Sequence, residues 1–72
     1  MNRTLAHANK GESCIIIDFA DESTKCQTMR FGLSKGETIK CLEKVGPIIV
    51  GKSYQKLAIG KNLASKIYVK TA

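Results

Sequence analysis

Turn-forming residues punctuate this chain at short, nearly regular intervals: Gly11, Asp21–Glu22, Gly32, Gly36, Gly46–Pro47, Lys52–Ser53 and Gly60. The intervals are too short for long helices, and most of what lies between is β-branched. Short strands at such spacing predict a small sandwich or barrel. With 72 residues we expect one domain, residues 1–72, with no linker or internal repeat. A chain of this length buries only about 60% of the surface its unfolded form exposes, which leaves little core to hold a strained active site. The hydrophobic fraction of 43% is ordinary for a folded domain and excludes wholesale disorder.

Residues 12–19 contain Cys14 and three consecutive isoleucines, the pattern of a strand buried on both faces. Residues 37–45 alternate, so Ile39, Cys41 and Val45 are expected to face the core and Thr38, Lys40 and Lys44 to face water. Leu42 falls on the wet side and is the exception. Residues 47–51 follow a short turn and should pair with that strand as a hairpin. Over residues 54–59, Leu57 and Ile59 point inward and Tyr54 and Lys56 outward; over residues 65–70, Ile67 and Val69 point inward and Lys66, Tyr68 and Lys70 outward. Residues 22–31 break the β pattern. Asp21 and Glu22 suit the positive end of a helix dipole, Arg30 the negative end, and Gly32 a left-handed stop. Cys26, Met29 and Leu33 recur at i, i+3 and i+7 as a narrow apolar stripe. The order strand, helix, four strands predicts a mainly β fold. It is an SH3-like small barrel of about five strands, with one short helix between the first and second strands lying over one mouth.

Charge narrows the partners. Twelve Lys and Arg stand against six Asp and Glu, a net charge of +6, which suits an acidic partner or serves solubility alone. Only Arg3 and Arg30 are available for the bidentate contacts that base or phosphate readout usually recruits. Catalysis is not expected: His7 is the only histidine, no phosphate-binding loop of the G-x(4)-G-K-[ST] type occurs, and Asp18, Asp21 and Glu22 are explained by helix capping. Cys14, Cys26 and Cys41 lack the paired spacing of zinc and iron–sulfur sites, so packing is the expected role of the cysteines, and no bound metal or cofactor is expected. The polar start and the absence of an apolar run long enough to span a bilayer suggest no signal peptide and a reduced, cytoplasmic setting.

Four stretches carry a resemblance. They are T-L-x(5)-G-E-S at Thr4–Ser13, M-R-F-G-L-x-x-G at Met29–Gly36, P-I-I-V at Pro47–Val50, and L-A-I-x(4)-A-x-K-I-x-V at Leu57–Val69. In this order the chain resembles the FeoA family, small cytoplasmic accessory proteins of bacterial ferrous-iron transport. The resemblance implies an SH3-like barrel, no enzymatic activity, and a partner in the FeoB-type membrane transporter. Two departures stand out: Lys35 replaces the usual proline before Gly36, and the hairpin loop is short, with Val45–Gly46 alone before Pro47.

The outward lysines Lys40, Lys44, Lys56, Lys66 and Lys70 interleave with Tyr54 and Tyr68. Such a surface could be plain solvated exterior, could grip single-stranded nucleic acid by stacking, or could sit on an acidic protein patch. The protein partner is the expected one, because aromatic residues are few. The nucleic-acid module is the alternative. Phe31, at the end of the helix, either tucks over the barrel mouth as core or stays exposed; for the contact itself we expect it to join the 45–54 hairpin in an apolar spot that includes Tyr54 and is rimmed by Lys44 and Lys52. Weak self-association and a transient iron contact through Cys14, Cys26, Cys41 or His7 stay open at this level.

Overall fold

The structure, a computed structural model, describes residues 3–72; the expected domain start at residue 1 lies outside the described residues. In chain order it contains β1 (Arg3–Thr4), a single 3-10 turn (Leu5–His7), β2 (Ser13–Phe19), α1 (Glu22–Arg30), β3 (Thr38–Lys44), β4 (Ile48–Lys52), β5 (Gln55–Ile59), α2 (Lys61–Ala64) and β6 (Ile67–Thr71). The six strands form one antiparallel sheet in the order β1-β6-β2-β3-β4-β5. Extents of 27 × 26 × 22 Å require that sheet to curl tightly around its own core. The result is the expected SH3-like, mainly β fold with its helix after the first long strand. The curl stops short of closure, since β1 and β5 are edges without a ladder between them.

The core is drawn from almost every element: Leu5, Cys14, Ile16, Phe19, Leu33, Ile39, Cys41, Ile48, Val50, Ile59, Ala64, Ile67 and Val69 are all buried. Leu5 and Ala8 show that the polar start around His7 also supplies core, through its 3-10 turn. The short helix α2 was likewise not expected.

Three expectations are corrected, each for a local reason. The strand holding the isoleucines is buried on one face only: Cys14 and Ile16 point into the core while Ile15 and Ile17 are half-buried. A bulge between Ile16 and Asp18 then shifts the phase, so that Phe19 turns inward and Asp18 outward. A second bulge lies between Cys41 and Glu43. Past it, Lys44 and not Val45 stands opposite the buried Ile48, so the alternation that assigned Val45 to the core no longer holds. Val45 is 69% exposed in the turn.

The third correction concerns α1. Its inward residues are Thr24 and Thr28, whereas Cys26 and Met29 face solvent. The predicted stripe counted helical phase through Leu33, but the helix ends at Arg30. Cys26 stands about 200° around the axis from Thr24 and belongs to the opposite face. Leu33 is buried because the chain reverses at Gly32, whose φ of +82° is left-handed. Both ends of the helix are closed as the sequence suggests. The Thr24 amide donates to Asp21 Oδ1 at 2.7 Å. At the other end the Gly32 amide donates to the Met29 carbonyl and the Leu33 amide to the Thr28 carbonyl, a Schellman closure.

Candidate partner-docking surface

The Schellman turn decides what the helix exit shows to solvent. It buries Leu33 and leaves Met29 and Phe31 on the rim, 51% and 41% exposed. Both are apolar side chains left partly wet at the helix exit. Against it lies the C-terminal end of β4, whose Lys52 ammonium donates to the Gly32 carbonyl and pairs with Glu37 Oε2 at 3.3 Å. Lys52 is therefore engaged within the chain, latching the helix exit to the hairpin. Two residues on, Tyr54 stands wholly exposed in the β4–β5 turn, where Ser53 takes a positive φ of 54°.

Of the four expected contact residues, Lys52 reaches the helix exit next to Phe31 through the Gly32 carbonyl, Tyr54 stands exposed in the β4–β5 turn, and Lys44 lies elsewhere. Lys44 pairs with Ile48 at the start of β4, while Lys52 pairs with Gln55 at its finish. The four-residue step between Ile48 and Lys52 separates them by about 13 Å along the strand. Lys44 instead lines a cleft of about 520 Å³ with His7, Ile48 and Lys61 at the opposite mouth. A rim made jointly by Lys44 and Lys52 does not form.

A groove of about 480 Å³ runs over the outer face of the sheet. The pairing register sets Ser13, Lys40, Gly51 and Lys56 side by side on four successive strands. At the centre of that row the absent side chain of Gly51 leaves a hollow. Leu42, on the same outer face as Lys40, leans over the hollow so closely that a Cβ on Gly51 would lie 3.2 Å from its Cδ1. Lys40 and Lys56 flank this floor, Tyr54 closes one end, and no acid is among the lining residues. Sequence reasoning did not assemble this groove. Its signals were two anomalies, a leucine on a wet face and a glycine inside a strand.

A family model described as the FeoA domain matches residues 3–71. This chain belongs to the FeoA family. Among solved structures, the crystal structure of an iron uptake regulatory protein (FeoA) superposes with a TM-score of 0.90 at 30% identity, covering 100% of this chain and 99% of that one. The solution structure of a FeoA-like protein from Clostridium acetobutylicum has a TM-score of 0.87 at 22% identity over 97% of this chain and 86% of that one, a likeness of fold. The same fold recurs over 34% of the manganese regulator SloR, which matches 97% of this chain with a TM-score of 0.86 at 18% identity. No curated protein matches the sequence.

The titrating groups of this FeoA domain are explained by structure-holding contacts. Burial pushes the Cys14 and Cys41 thiols up, so both are held in the protonated form that ligates metal poorly. Cys26 is exposed on α1 and His7 on the 3-10 turn, where Nδ1 meets Thr4 Oγ1 at 2.8 Å. No three His, Cys, Asp or Glu side chains converge among the described residues. Glu12 is held well down, to about 2, first by its hydrogen bonds with Arg3 and then by the Asn9 amide and the Thr71 hydroxyl. Asp21 and Asp18 are both lowered, chiefly by the backbone amides of Thr24 and Phe19.

Proposed function

We propose that this FeoA-family protein is a non-enzymatic accessory protein of ferrous-iron uptake. It acts in the cytoplasm by docking on the cytoplasmic part of a FeoB-type transporter. The match to the FeoA family model from residue 3 to residue 71 carries this reading. Three features support it. Among the described residues no helix is long and apolar enough to cross a membrane, which suits a component that reaches the membrane through a partner. The two buried thiols are poor ligands, which suits a protein that leaves ferrous iron as cargo to the transporter. Exposed Met29 and Phe31 at the helix exit supply apolar side chains of the kind that dominate protein contacts. Nucleic-acid stacking is the poorer reading. Tyr54 follows β4 and Tyr68 lies on β6, and β2 and β3 separate those strands in the sheet.

Calorimetric titration of the transporter's cytoplasmic domain with the full chain tests the proposal. Wild type should bind, and Phe31→Ser should bind about tenfold more weakly. Its melting temperature should stay within about 2 °C of wild type, because the ring is already largely wet. A wild-type chain that gives no heat with the domain, while radioactive ferrous iron enters cells equally with and without it, rejects the accessory role. A large drop in melting temperature for Phe31→Ser would remove Phe31 from the contact.

A further inference from the structure

We infer that the groove over Gly51 is a docking site for an extended acidic protein segment carrying an apolar side chain. The inference deepens the accessory-protein reading and rests on it for the identity of the partner. It starts from charge. The groove is lined by Ser13, Thr38, Ile39, Lys40, Leu42, Gly51, Ser53, Tyr54, Gln55 and Lys56, so its charged members are two lysines and nothing opposes them. Both lysines are exposed, and neither forms an ion pair among the described residues, in contrast to Lys35 and Lys52 with their partners Asp18 and Glu37. Two free cations face each other across a strand. The two strand spacings between them set their backbones about 10 Å apart, wide enough for one extended chain to lie between.

The floor speaks to shape. A glycine in a strand interior forgoes side-chain packing and weakens the strand relative to alanine. Gly51 is flanked on both sides, by Lys40 and Lys56, and its backbone has no need of a left-handed turn. What the glycine provides is the hollow, together with the space into which Leu42 leans. Leu42 therefore offers an apolar surface at the bottom of a cationic channel, and the fully exposed Tyr54 supplies an aromatic wall at its end. An acidic segment gains charge complementarity from the two walls and burial from the floor. A nucleic acid would find two phosphate contacts and one stacking ring there, too few for the repeated stacking and backbone tracking such ligands use.

The probe is a synthetic ten-residue Glu/Asp peptide with a single central leucine, titrated into the isotope-labelled full chain and followed by amide shifts. Thr38, Leu42, Gly51, Tyr54 and Lys56 should move together and saturate. The paired charge reversal Lys40→Glu with Lys56→Glu should weaken binding about tenfold or more with an unchanged melting temperature. Shifts scattered over the surface, an equal response to a Lys-for-Glu version of the peptide, or equally tight binding of oligo-dT to the same amides would each overturn the inference. The paired variant is then titrated against the transporter's cytoplasmic domain beside wild type. Loss of binding in the variant places the transporter's contact in the groove. Undiminished binding keeps the accessory role and rejects the groove. A wild type that ignores that domain while the peptide saturates the groove rejects the transporter as partner and leaves the groove standing.

Discussion

The hydroxyl of Thr28 is buried in the helix face against the core, and its Oγ1 has no hydrogen-bond partner. A buried polar atom in that state costs about 1–3 kcal/mol relative to a satisfied one. Valine has the same branched shape without the hydroxyl, and its helix propensity is close to that of threonine. Thr28→Val should therefore raise stability by about 1 kcal/mol, read as a melting temperature several degrees higher. An unchanged or lower midpoint would show that the hydroxyl is satisfied in solution. The thiols give a second test at this scale. Cys26 is exposed and Cys14 and Cys41 are buried. A disulfide reagent should consume Cys26 quickly in the native protein and the other two only after denaturant is added. Fast reaction of all three thiols would mean that the core opens readily around β2 and β3.

Among the elements, α1 depends most on how it ends. Gly32 sits at φ +82°, a conformation that side chains with a Cβ adopt only at a cost. A Cβ there would meet no backbone, its nearest neighbour being Lys52 Nζ at 3.8 Å, so strain and not collision governs the outcome. Gly32→Ala should destabilise by about 1 kcal/mol in urea unfolding with an unchanged m-value. Loss of much more than that would mean that the Lys52 latch goes with it. The bulges in β2 and β3 act on the same scale. Each changes which residues face inward within a single strand.

For the molecule as a whole, the first and last strands are tied by one cluster. Arg3 on β1 pairs with Glu12 at the entry to β2, and the Thr71 hydroxyl on β6 donates to Glu12 Oε2 at 2.9 Å. Together they hold the sheet's β1 edge. Glu12 is lowered from an ordinary value of 4.5 to about 2. A depressed carboxyl contributes stability that is present above its ordinary value and is lost as pH falls through its folded-state value. Between pH 5 and pH 2 the melting temperature of wild type should therefore fall more steeply than that of Glu12→Gln, the two curves approaching each other at the acid end. Parallel curves would show that the cluster is open in solution.

Much was legible in the sequence because it depends on short-range rules. The cap at Asp21, the stop at Gly32, the hairpin after Pro47 and the inward set Ile39, Cys41, Ile59, Ile67 and Val69 all follow from turn chemistry and alternation, which act over a few residues. The family was legible too, since its motifs are largely those same turns and strand ends. Of the residues expected at the contact, Phe31 and Tyr54 are exposed. Pairing across strands decided the rest. Alternation cannot see a bulge, because the extra residue is defined only by the partner strand, so Val45 was assigned to the wrong side. Helical phase cannot be carried past a left-handed residue, so the stripe through Cys26, Met29 and Leu33 dissolved into Thr24 and Thr28. The groove belongs to the tertiary structure alone: Lys40, Gly51 and Lys56 become neighbours only when three strands settle into one register.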